Sequence, residues 1–115
     1  MSTRNESEVL AETLDFAHGL SRWYLSLLKG TDMHQRIEAN GVKLNSPLWL
    51  AAHLVWAENF LVLRETGGSP VVFEWLKEFG FGSNPDEISP PDIKEVLSAM
   101  KTVHEASLQH IRTLT

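Results

Sequence analysis

Large apolar residues recur in this chain at alternating steps of three and four, in three separate stretches. The first series is Leu10, Leu14, Ala17, Leu20, Tyr24, Leu27 and Leu28. The second is Trp49, His53, Trp56, Phe60 and Leu63. The third is Ile93, Leu97, Met100, His104, Ser107, Ile111 and Leu114. Such steps stack side chains on one face of an α-helix. The spacing predicts helices over residues 6–29, 47–66 and 91–115. The β-branched pair Val71-Val72 opens the segment "VVFEWLKEF" over residues 71–79, read as a short helix. A strand there would need a partner, and no second strong candidate exists. Three long amphipathic helices plus a short one, without a credible sheet, imply an all-α bundle.

The ends of these helices carry their own chemistry. Asn5 is a suitable N-cap, with Glu8 three residues on as a capping box requires. Gly30 is a natural stop. Asn40-Gly41 is a turn signal in a polar connection that holds one short amphipathic turn around Met33 and Ile37. Ser46 and Pro47 suit the N-cap and first position of the second helix, and Gly67-Gly68 suits its end. Residues 80–90, "GFGSNPDEISP", read as a loop. Near Pro91 the third helix begins, with Asp92 in its first turn, where a carboxylate complements the helix dipole. No Gly, Asn or Pro closes it before Thr115. Three apolar faces leave room for a fourth helix, expected either beyond Thr115 or from a second copy of the chain.

Charge and composition narrow the functions. Fifteen acidic against ten basic residues give a net charge of −5, with Arg and Lys scattered singly. Phosphate backbones require a positive stripe, so no nucleic-acid partner is expected. No run is long and apolar enough to span a membrane, and the polar, acidic N-terminus does not resemble a secretion signal. The chain has no cysteine, which excludes disulfides, thiolate ligands and a cysteine nucleophile. A cytoplasmic location is expected.

Histidine supplies the remaining metal chemistry, at positions 18, 34, 53, 104 and 110. His53 is the leading candidate, flanked one turn each way by Trp49 and Trp56; burial favours the neutral imidazole that binds metal. From spacing alone, a core histidine bonded to a backbone carbonyl or a water is the commoner outcome. His104 lies on the third seam and can face His53 across the bundle. His18 borders the first apolar face in the row Leu14, His18, Ser21, Leu25. His110 lies about 120° around the helix from His104, so the two cannot chelate one ion. His34 with Glu38 reads as a surface pair, and Glu58 and Glu65 as a solvated face. No H-x-x-x-H, H-E-x-x-H or paired E-x-x-H motif occurs, and Ser46, Ser69 and Ser83 lack a nucleophile-elbow context.

The stretch "NSPLWLAAHLVWAENFLV" resembles the second-helix signature of the DinB-like superfamily, through Asn45, Ser46, Pro47, Trp49 and His53. "FGFGSNP" at 79–85 is similar to that family's loop, and "IKEVLSAMKTVHEASLQHIRTLT" to its third helix. The resemblance covers roughly residues 8–115. It implies an up-down four-helix bundle of which this chain is the N-terminal part, lacking the last helix. It also implies a divalent-metal site, zinc or nickel, in which His53 is one ligand and an H-x-x-x-H pair beyond Thr115 supplies the others. Trp49, Trp56 and Phe60 would line an apolar pocket beside it for a small-molecule or thiol substrate. The implied activity is that of a metal-dependent transferase or hydrolase, with little activity in these 115 residues alone. The alternative is a non-catalytic helical interaction module; a homodimer is expected in both cases.

Overall fold

A computed structural model describes residues 5–80 and 91–114. Helix α1 spans Glu6–Ser26. Asn5 caps it, its side-chain oxygen accepting from the Glu8 N–H at 2.9 Å and the Ser7 hydroxyl at 2.7 Å. The helix stops before Gly30. Over residues 27–31 the amides of Leu28, Lys29 and Thr31 bond three residues back, the tighter pattern in which a helix end unwinds. Gly30 follows at φ +90°.

The polar connection folds into a minimal hairpin, β1 (Glu38–Ala39) paired antiparallel with β2 (Val42–Lys43). Asn40 and Gly41 turn it at φ 52° and 79°, the left-handed pair that a two-residue hairpin demands. The sequence reading identified this turn without its strands. Two residues per strand leave no alternation to detect.

Helix α2 spans Pro47–Ala57, and Ser46 caps it by accepting from the Trp49 N–H at 3.1 Å. It continues without a break into a π-helical segment, Glu58–Arg64, and the Glu65 N–H bonds five residues back to Phe60. The segment after Gly67 returns along α2 and ends in a short 3-10 turn, Leu76–Phe79. The helix expected at 71–79 is thus confined to its last four residues. Helix α3 spans Ile93–Thr113. Asp92 is its N-cap rather than a first-turn residue, accepting from the Lys94 N–H at 3.2 Å. The loop motif at 81–85 lies outside the described residues.

α3 is the central element. It packs against α1 on one side and against α2 and the π segment on the other. Its buried stripe is Val96, Ala99, Met100, Val103, His104, Ser107 and Ile111, close to the predicted series. The core joins these to Leu48, Ala51, Ala52, Val55, Leu76 and Phe79. The chain is elongated, 54 × 27 × 27 Å. Its radius of gyration is 15.7 Å, against about 13 Å expected for a closed domain of this length. Among the described residues the all-α architecture holds, as three long helices with one minimal hairpin.

Two predicted faces need correction. The buried stripe of α1 is Ser7, Ala11, Leu14, His18, Ser21 and Leu25, fully or partly covered, whereas Leu10, Leu20, Tyr24 and Leu27 are exposed. The small residues of this stripe let α1 approach α3 closely. In α2 the inward stripe is Leu48, Ala51, Ala52 and Val55, continued by Asn59 and Leu63. The predicted row Trp49, His53, Trp56, Phe60 is turned about 100° away, onto one flank. α2 is apolar almost all round, so its sequence period does not say which side faces inward.

Candidate functional site

The site lies where α1 and the start of the π segment meet over α3. His104, one turn after Met100 on the buried face of α3, is the centre of a four-residue cluster. Its Nδ1 is hydrogen-bonded to Glu58 at 2.8 Å from Oε1, and its Nε2 to Asp15 at 2.8 Å from Oδ1. The His104 side chain is 8% exposed, that of Glu58 11% and that of Asp15 62%. This cluster thus has a buried half and a solvent-facing half.

His18 completes it. Its ring stacks on His104, centroids 3.6 Å apart and planes within 5°. Burial, followed by the charge of His104 and of Arg22, pushes the His18 pKa down to about 4. Its Nε2 is buried with no hydrogen-bond partner. A buried polar atom left without a partner calls for an explanation, such as a ligand that the site is built to take. The hydrogen bond from His104 holds the Asp15 carboxyl below the usual carboxylate range.

Sequence position explains part of this geometry. Asp15 and His18 are three residues apart, on one side of α1. Glu58 opens the π segment, where the wider turn changes the direction of side chains relative to a uniform helix. It is a mostly covered partner of His104 rather than part of a solvated face. No feature of the amino-acid string marked Glu58 for this role. The row Leu14, His18, Ser21, Leu25 did mark His18 as facing inward.

Among the described residues, His18, Glu58 and His104 form a group that could hold a metal ion, each offering one donor atom within 4.8 Å of the others. Two nitrogens and one oxygen match the donor preferences of zinc and nickel, and three ligands leave an open position. The stacked rings must tilt apart for both lone pairs to converge on one ion. Beside the group runs an open cleft of about 250 Å³ between α1 and α2, lined mainly by apolar residues, including Leu14, Ala17, Leu54, Leu61 and Val62, with Met100 from α3.

His53 lies elsewhere, on the far flank of α2. Its Nδ1–H donates to the Phe79 carbonyl at 2.6 Å. Its ring is stacked between Trp49, at 4.7 Å, and Trp56, at 5.6 Å, and Phe60 continues the row at 5.7 Å from Trp56. The aromatic surroundings expected for His53 are therefore present, but it is not one of the three clustered donors. His104 faces His18 rather than His53. His110 donates to the Thr66 carbonyl at 3.0 Å, tying α3 to the end of the π segment.

Asn59 was missed altogether. It is fully buried and pairs with both main-chain groups of Val71 at 2.8 Å. This clamp fixes the returning segment whose end, Phe79, holds His53.

No helix of the described residues is long and apolar enough to cross a membrane. The family model of the DinB superfamily matches residues 12–115. No curated protein and no solved structure matches the chain.

Proposed function

The chain belongs to the DinB superfamily, and on that premise we propose that it binds a divalent metal through His18, Glu58 and His104. The observation that carries this reading is the unpartnered His18 Nε2, buried beside two further donors. Bound zinc or nickel would supply Lewis-acid chemistry of the transferase or hydrolase kind. The chain's own residues do the rest. Asp15 holds the Nε2–H of His104 and so selects Nδ1 as the nitrogen that faces Glu58, the outer-shell role that orients metal-bound histidines. Burial keeps His18 neutral, the form with a lone pair to give. The apolar cleft beside the group takes a small-molecule or thiol substrate and limits water around it. A cytoplasmic setting goes with this reading.

A second metal position rests on His53. Its Nδ1–H donates to the Phe79 carbonyl, with Trp49, Trp56 and Phe60 as apolar surroundings. Titration of the metal-free chain with zinc and with nickel separates the two. One ion per chain is expected. His18→Ala or His104→Ala lowers the affinity by more than about a hundredfold, the upper range for an outer-shell change, while His53→Ala leaves it unaltered. Loss of binding in His53→Ala alone assigns the ion to that flank. No binding by the unaltered chain supports the non-catalytic module instead.

A further inference from the structure

We propose that the cleft between α1 and α2 takes an uncharged secondary amide with an apolar arm on each side of its polar centre. This rests on the reading of the cleft as the substrate's place; the binding itself does not require the metal. The two walls share a pattern. On the α2 side Glu58 lies between Leu54, four residues before it, and Leu61 and Val62, three and four residues after it. On α1 His18 lies between Leu14, four residues before it, and Ser21, three residues after it. Such steps are about one helical turn, so each wall carries its polar group midway. The donor atoms of His18 and Glu58 lie within 4.8 Å of each other, which brings the two midpoints together. Met100, 3% exposed, forms the floor.

A wholly apolar occupant would leave this centre unmet. The His18 Nε2 is buried without a hydrogen-bond partner, and a bond left unmade in such a place costs roughly tenfold in affinity. An amide carries an N–H and a carbonyl side by side. It therefore answers His18 in either tautomer, and its N–H also suits the Glu58 carboxylate. A charged centre fares worse, because apolar walls replace its water. An anion would in addition face Glu58. Among the described residues no Lys or Arg lines the cleft, and Arg22, whose charge reaches His18, stands outside the lining. The cleft volume of about 250 Å³, at about 30 Å³ for each water-sized group, holds about eight such groups. With the polar pair midway, they divide into two short arms rather than one long one. An amide carbonyl is also a group that a divalent metal polarises, which favours the hydrolase side of the proposed function.

N-ethylbutanamide is the probe, titrated into the unaltered, metal-free chain with the methyl resonance of Met100 as the readout. Comparison compounds of the same size isolate each part of the proposal. Hexanamide is its isomer with the polar group at one end, ethyl butanoate lacks the N–H, and hexanoate is charged. N-ethylbutanamide is expected to shift Met100 and not Met33. Its affinity should exceed those of hexanamide and ethyl butanoate by about tenfold, and hexanoate should give no saturable shift. Equal or tighter binding of hexanamide overturns the central polar position. Equal or tighter binding of ethyl butanoate overturns the amide, and saturable binding of hexanoate overturns the uncharged class. A Met100 resonance that none of them moves overturns the whole proposal. These results stand apart from the zinc titration. A chain that binds zinc but leaves Met100 unmoved loses the amide and keeps the metal, and one that binds the amide but no zinc does the reverse.

Discussion

α2 and its π-helical continuation present two flanks that the fold treats in opposite ways. On one, His53 is held between two indoles and bonded to the Phe79 carbonyl, and Gly80 rests directly on Trp56. On the other, Glu58 meets His104 and His18 beside an open cleft, and one imidazole nitrogen has no partner. The first flank ties its histidine to main chain, while the Trp49 indole N–H is buried without a partner. The second gathers ionisable groups and leaves one unsatisfied. Chemical potential lies where donors converge without a main-chain partner to neutralise them.

Substitutions can break this contrast, and the largest effect is expected at His104. His104→Ala leaves Glu58 with its carboxylate mostly buried and unpaired, so a loss of about 3 kcal/mol of stability is expected, measured by urea denaturation. His53→Ala removes one hydrogen bond and a stacked ring, and about 2 kcal/mol is expected. Equal losses would erase the distinction between the flanks. Gly80→Ala comes next: its Cβ would stand 2.9 Å from the Trp56 indole, so the ring or the segment must shift. About 1–2 kcal/mol is expected for such overpacking. Its metal affinity should be unchanged, because Gly80 belongs to the His53 flank.

Smaller effects sharpen the comparison through pH and through Asp15. The folded-state pKa of His18 is about 4, below the ordinary imidazole value of 6.5. Between these values the unfolded chain binds a proton that the folded chain refuses, so stability falls as pH drops from 6.5 to 4. His18→Gln should flatten the melting temperature across that window. Asp15 acts in the next window down: its depressed pKa contributes stability above the ordinary carboxylate value, which is lost as pH falls through the folded value. The mildest change is Asp15→Asn, expected to weaken zinc binding by about tenfold through misorientation of His104, with the helical signal unchanged.

Much of the local structure was legible in the sequence. Asn5, Ser46 and Pro47 mark helix starts because their side chains or missing N–H groups solve a local bonding problem, and they do so in the structure. The period of α3 was legible because its outer face is charged, so only one stripe could turn inward. α1 misled because it has two stripes, and the bulkier one is exposed. The smaller one is buried because Ser7 and Ala11 allow close approach to α3. Asn59 could not be read from neighbouring residues, since its partner Val71 lies twelve positions on.

The sequence by itself determined the helices, their caps and the family, because each depends on residues within a few positions or on one contiguous motif. Only the tertiary structure decided which face of each helix turns inward, and therefore which histidines meet. His18, Glu58 and His104 come from three elements, and their separations along the chain carry no period. Their convergence is set by the crossing of α1 over α3 and by the wider turn that begins at Glu58. Both are properties of packed surfaces rather than of any segment alone.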